Sequence, residues 1–318
     1  MNDQVRAVEL NFGLLPSTNR YWSKLYNQPE IGLGFYHGSL GNKEVFGKTS
    51  ALFPFIIFNL KDFRKGDLHL QTGFGLAYNK KHFHPSENYA NVAIGSKFNA
   101  FFKLLLSGSY NLSKRLSAVI GVGFQHLSNG SVHVPNKGLN LLTTNMGLKY
   151  HFKSKEFNKN ITVLNSKLNN ELTMIWSGGL KQASEIDDNN YFASSLSTNY
   201  SFGINAKQRL GCGVDLFYDE ASNRGDWNFA PETKFKDRFS QAIILSHDLV
   251  IQRISIITHI GIYTWYKTKP EKPLYTRLGL RYNLSKTIVA NLSLKAHLGK
   301  ADFIEWGIGY RFKKKKND

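Results

Sequence analysis

The sequence predicts an all-β chain, closed as an antiparallel transmembrane β-barrel of about 14–16 strands. Three observations predict it. Apolar residues recur with a period of two along most of the chain, which marks strands and not helices. The runs are about ten or more residues long, enough to cross a bilayer at a tilt. Aromatics sit at their ends, where interface girdles form: Tyr150, Phe152, Tyr282, Tyr310 and Phe312. Backbone groups in hydrocarbon must all be paired, and a closed sheet achieves this without edges. A soluble sandwich shows the same alternation with its apolar face inward, so strand length and aromatic placement carry the distinction.

In chain order, the period-two runs fall near 4–12, 30–38, 48–59, 67–79, 94–111, 114–127, 139–152, 170–182, 191–203, 207–219, 238–249, 252–265, 273–284, 287–298 and 302–312. Only 18–28 suits a short helix. The last run is a clear case. Ile304, Trp306, Ile308, Tyr310 and Phe312 share one face, while Glu305, Gly307, Gly309 and Arg311 share the other. Leu274, Leu278, Leu280 and Tyr282 oppose Arg277, Gly279, Arg281 and Asn283 in the same way. Short turns near 111–114, 203–207, 249–252 and 283–286 alternate with longer polar loops at 80–91, 128–138, 183–190, 220–237 and 266–272. Barrels of the outer membrane keep short turns inside and long loops outside. No Pro/Ser-rich linker divides the chain, and the polar stretch Lys153–Asn169 is the one plausible seam.

Lys and Arg number 41 against 23 Asp and Glu, a formal net charge of +18. That balance favours partners carrying phosphate: a membrane surface, a phosphorylated glycolipid or nucleic acid. Nucleic acid is disfavoured, because there is no recognisable motif and no basic helix. Apart from Lys313–Lys316 the charge is spread out. The single cysteine, Cys212, allows no internal disulfide. No apolar run reaches the roughly eighteen residues of a spanning helix. The start of the chain shows no signal peptide. The barrel expectation favours a chain that begins after its signal was removed.

One segment stands apart: Gly123-Phe124-Gln125-His126-Leu127-Ser128-Asn129-Gly130, followed by a Gly/Pro/Asn-rich loop to Asn140. In run 114–127 the even positions Leu116, Ala118, Ile120, Val122 and Phe124 are apolar, and His126 and Ser128 continue that lipid-facing set. Asn140 shares the apolar face of the next run with Leu142, Met146 and Leu148. Parity thus gathers three polar residues on the outer wall near the extracellular rim. Polar groups facing lipid cost free energy unless paired. A His beside a Ser is the minimal nucleophile–base pair for acyl transfer, and an amide or carboxylate can orient the imidazole. The bland alternative, polar residues capping a strand at the interface, fits a lone His-x-Ser better, and it is the loop motif that follows which favours the functional reading.

The spacing His126-x-Ser128-Asn129, then Pro135-Asn136-x-Gly138, resembles the lipid A 3-O-deacylase (PagL-type) family of outer-membrane esterases. Glu44-Val45-x-Gly47-Lys48, Leu52-Phe53-Pro54-Phe55 and Asn91-Val92-Ala93-Ile94-Gly95-Ser96 look similar as well. The resemblance implies Ser128 as nucleophile and His126 as base. Asn129 and the N–H of Gly130 would form an oxyanion hole, with Asn136 holding the loop. Asn140 stands where the family's small members carry Glu. The resemblance makes 5–152 a deacylase-like half and leaves 170–312 as additional barrel strands. One barrel over 1–318 is the preferred arrangement, and two tandem eight-stranded barrels are the alternative. The implied activity is removal of an ester-linked, 3-O acyl chain from lipid A of lipopolysaccharide, in the outer leaflet of the bacterial outer membrane. A non-catalytic porin or transport barrel and a phospholipid esterase remain alternatives. No cofactor is called for. His82 and His84 lack a third metal ligand in sequence, His133 reads as loop filler or a phosphate contact, and Asp215 and Asp219 take the lumen parity.

Overall fold

Branched and aromatic residues at alternate positions favour extended backbone, because they fit a pleated surface better than a helix. The computed structural model describes residues 3–17, 20–152, 166–185, 187–222, 234–268, 270 and 272–312. Among them lie fifteen strands, in two compact units.

The first unit carries β1 (Ala7–Leu14), β2 (Glu30–Ser39), β3 (Lys48–Phe63), β4 (Gly66–Asn79), β5 (Phe98–Asn111), β6 (Leu116–Ser128) and β7 (Leu139–Tyr150). They pair antiparallel in chain order as a seven-stranded sheet. A short helix, α1 (Tyr21–Leu25), lies within the expected 18–28 stretch. It buries Trp22 and Ser23, and Tyr26 packs on Phe58 with ring centroids 5.7 Å apart. The second unit carries β8 (Glu171–Ser184), β9 (Asp187–Gly203), β10 (Gln208–Asp219), β11 (Phe239–Ile251), β12 (Ile254–Tyr266), β13 (Leu274–Asn283), β14 (Ile288–His297) and β15 (Lys300–Phe312). Here the sheet closes on itself, with Trp306 of β15 opposite Gly178 of β8.

The all-β antiparallel class and the strand count are as the sequence predicts. The pairing, however, is not one continuous barrel over 1–318. Among the described residues the strands form a closed eight-stranded barrel and a separate seven-stranded sheet. The reason is local: β15 takes β8 as its partner, which closes the second sheet and leaves no edge there for β7. The expected seam at 153–169 lies mostly outside the described residues, as does the Lys313–Lys316 tail.

Short turns are closed by side chains that satisfy backbone N–H groups. Ser113 Oγ accepts from Arg115 N and Leu116 N, Asn205 Oδ1 from Lys207 N and Gln208 N, and Ser285 Oγ from Thr287 N and Ile288 N. A one-residue slip would turn every side chain to the wrong face, so the alternation fixes register. The outward face is apolar: Leu142 and Met146 on β7 are 89% and 87% exposed. The inward face of the first unit is more apolar than the sequence alternation suggests. Tyr36, Phe53, Phe101, Leu127 and Leu141 form a core at the long-loop end, joined by Ala93 and Ile94 from the β4–β5 loop. Polar contacts, Lys103 with Glu9 and Lys149 with Glu30, occupy other inward positions.

The closed barrel is filled by charge. Arg277 reaches Asp215 and Glu305, both at 2.6 Å, and Glu305 accepts from Ser195 Oγ at 2.6 Å and Ser293 Oγ at 2.7 Å. Asp219 pairs with Lys181 at 2.8 Å and Glu171 with Arg311 at 2.9 Å. The lumen parity read for Asp215 and Asp219 therefore has its partners inside this unit.

Candidate active site

The β6–β7 ladder sets His126 directly opposite Asn140 and Leu127 opposite Leu139. Alternation then turns Leu127 and Leu139 into the core and leaves His126 and Asn140 on the outer wall. Their side chains meet, with His126 Nδ1 2.6 Å from Asn140 Oδ1. An amide oxygen has no proton, so this contact requires the Nδ1–H tautomer and leaves Nε2 with its lone pair. Gly138 covers the ring. Its φ is +73°, and a Cβ there would lie 2.8 Å from His126 Cε1. Both facts demand glycine at this position.

Ser128 continues the face of His126, two residues on, at the end of β6. Its Oγ accepts a hydrogen bond from Asn136 Nδ2 at 2.8 Å. Asn136 also accepts from Asn129 N through Oδ1 at 3.3 Å, so one amide spans the serine oxygen and the adjacent backbone. Asn129 Nδ2 donates to Ser96 Oγ at 3.1 Å, and Ser96 Oγ donates to Phe98 O at 2.7 Å. The first unit thus holds two groups, His126 with Asn140 and Ser128 with Asn136 and Asn129, two residues apart along β6. Gly130, with φ +66°, is grouped with the second unit.

The β6–β7 loop is clasped by the β4–β5 loop. Lys137 N donates to Val92 O and Gly138 N to Ala93 O, each at 3.0 Å. Asn91 holds that clasp, accepting from Ile94 N at 3.1 Å and donating to Val45 O at 3.1 Å. Ser96 and Asn91 are neighbours of the candidate site that reading by strand parity misses. They lie in an irregular loop where parity has no meaning, and only the resemblance of the Asn91–Ser96 stretch marked them. His133 is exposed. His84 caps a turn, its Nδ1 accepting from Glu87 N at 3.2 Å. Among the described residues no three His, Cys, Asp or Glu side chains gather as a metal site.

Comparison with known proteins follows the two units. Residues 8–149 match the family model described as lipid A 3-O-deacylase (PagL). Residues 170–314 match that described as acyloxyacyl hydrolase, C-terminal domain. A search of curated proteins found no match. Solved structures that match include a mutant porin of Rh. blastica, 7% identical with TM-score 0.21, covering 97% of this chain and 100% of that chain. CdiB from Acinetobacter baumannii is 11% identical with TM-score 0.21, covering 97% and 57%. The alcaligin outer membrane receptor FauA from Bordetella pertussis is 10% identical with TM-score 0.23, covering 97% and 60%. At such scores these likenesses carry no argument. The two family matches between them cover most of the chain and agree with its residues and its all-β fold: it belongs to the lipid A 3-O-deacylase (PagL) family of ester hydrolases, extended by an acyloxyacyl hydrolase C-terminal domain.

Proposed function

We propose that the chain is an outer-membrane serine esterase that removes the 3-O-linked acyl chain from lipid A through an acyl-enzyme on Ser128. The observation that carries this reading is the His126–Asn140 pair on the apolar outer wall, two residues from Ser128. A lipid's ester lies at that wall without entering a pocket. Ser128 Oγ attacks the ester carbonyl, and His126 Nε2 takes its proton. The tetrahedral oxyanion receives hydrogen bonds from side-chain and backbone donors. Asn136 Nδ2 already meets the serine oxygen and, with Asn129, is a side-chain candidate. The N–H of Gly130, next in the chain, is the backbone candidate. Collapse breaks the bond to the sugar oxygen, which leaves with the proton held by His126. Water, deprotonated by the same imidazole, then cleaves the acyl-enzyme and regenerates Ser128.

Asn140 supports the tautomer but brings no charge to the imidazolium. We expect Asn140→Leu to lower kcat about a hundredfold or more, with KM little changed, because the ring loses its orientation. Asn140→Glu should raise kcat above wild type, since a carboxylate stabilises the imidazolium as well as orienting it. Initial rates on lipid A in mixed micelles measure both. Equal rates for Leu, Asn and Glu at this position would remove it from the mechanism. The reaction itself is tested by incubating purified protein with lipopolysaccharide and weighing the lipid A by mass spectrometry. Loss of one hydroxyacyl chain from the 3 position is expected. Loss of a chain from added phospholipid alone would move the reading to a phospholipid esterase.

A further inference from the structure

The outer wall of the first unit carries a second polar cluster, on β1–β4 and apart from the catalytic strands. In β3, Lys48 and Ser50 share the parity of the exposed Leu52, while Thr49, Ala51 and Phe53 are buried. In β2, His37 and Ser39 share the parity of the exposed Leu33 and Phe35. The ladder sets Ser39 opposite Lys48 and His37 opposite Ser50. Arg6 extends the same row. Its N–H donates to Ser39 Oγ at 3.0 Å, and its carbonyl accepts from Ser39 N at 2.9 Å. Arg6, Lys48 and His37 are all exposed, and His37 Nδ1 lies 2.9 Å from Ser50 Oγ, which orients the ring and leaves Nε2 outward. Tyr78 stands opposite Ser50 and packs against Phe98, with centroids 5.6 Å apart. The rows below are apolar: Phe35, Leu52 and Leu76, then Leu33 and Phe74.

Arg6 and Lys48 stand in the outermost row with Ser39, the His37–Ser50 pair and the Tyr78–Phe98 pair share the next row, and a hydrocarbon face lies below. An anionic lipid presents the same sequence, phosphate above acyl chains. The aromatic pair sets the height of the membrane interface, and the cations stand just beyond it on the side of the long loops. We propose that Arg6, Lys48 and the His37–Ser50 pair form a binding subsite for a phosphate of lipid A on the outer wall. The nearest strand of the subsite, β3, lies three strands from the Ser128 strand, about 14 Å at the usual strand spacing. Lys and Arg offer charge-assisted donors to phosphate oxygens, and the hydrogen-bonded His37–Ser50 pair adds one neutral donor, Nε2–H or the hydroxyl according to the imidazole tautomer. No glutamate or aspartate lies on this face of the two rows, since Glu9 of β1 points inward to Lys103.

The inference rests on the lipid A reading of the chain, but its test does not use turnover. Full-length Ser128→Ala protein in detergent is titrated with bis-phosphorylated lipid A, dephosphorylated lipid A and phosphatidylglycerol, and bound lipid is counted by native mass spectrometry. Lipid A is expected to bind at least tenfold more tightly than its dephosphorylated form. The double variant Arg6→Gln/Lys48→Gln should abolish that preference while melting as the parent does, because both side chains are exposed. A preference that survives the double variant overturns the subsite. So does phosphatidylglycerol binding as tightly as lipid A, since that would mean an unselective anionic rim. Acyl release is assayed separately on the chain that retains Ser128. Its absence, with the binding preference intact, would overturn the esterase reading and leave the subsite standing.

Discussion

Ser128→Ala is expected to abolish acyl release from lipid A, lowering kcat by at least about a thousandfold, while the sheet stays folded. The serine is buried at the end of β6, and its Oγ accepts a hydrogen bond from Asn136 Nδ2. Alanine keeps the backbone and removes one hydroxyl. The cost in stability should stay within the about 1–3 kcal/mol of leaving a buried hydrogen-bonding partner unsatisfied. Rate and fold are therefore separable here. Deacylation is followed by mass spectrometry, and folding by the shifted gel migration of an unboiled barrel. Cys at this position is expected to retain a trace of activity, since a thiolate is a nucleophile as well. Activity of the alanine variant within a few fold of wild type would remove Ser128 as the nucleophile and sink the acyl-enzyme. Such a result would also reopen the bland reading, in which His126 and Ser128 only cap a strand.

Arg277→Met should be the most destabilising single change in the second unit. The guanidinium is buried, reaching Asp215 through Nη1 and Glu305 through Nε and Nη2. Methionine fits the volume but leaves two carboxylates facing each other without a cation. Breaking a buried pair by removing one partner typically costs about 3–5 kcal/mol. Here a single cation serves both acids, so the upper part of that range is expected. Unfolding in urea, followed by tryptophan fluorescence in detergent, measures it. The triple variant that adds Asp215→Asn and Glu305→Gln should recover much of the loss, because the repulsion goes with the charges. If Arg277→Met melts like wild type, the network does not hold the barrel together.

How much of this was legible beforehand varies with the kind of residue. Strands were legible because alternation is a local property: Ile304 to Phe312 announces β15 without any partner in view. The pairing of His126 with Asn140 on one face followed from the same parity, and the ladder brings them to hydrogen-bonding distance, whereas Ser128, of the same parity, is buried at the end of β6. Closure was not legible. Whether β15 finds β8 or some other edge depends on which strands curl together, and two sheets with the same parity read alike as a string. The interior of the first unit was legible only in part. Alternation distinguishes inward from outward, yet Phe53, Phe101 and Leu141 show that inward can be apolar too. The clasp of Lys137 and Gly138 onto Val92 and Ala93 was beyond reach. It joins two irregular loops through backbone atoms, and backbone atoms leave no trace in composition.

Under the proposed function, the outward placement of His126 and Asn140 changes what concentration means for this enzyme. A pocket open to water samples molecules per litre. Residues on a lipid-facing wall sample molecules per unit area, arriving by lateral diffusion within one leaflet. The rate should therefore track the mole fraction of substrate among its neighbouring lipids. Diluting the sample with buffer would leave it unchanged, and diluting the membrane with inert lipid would slow it.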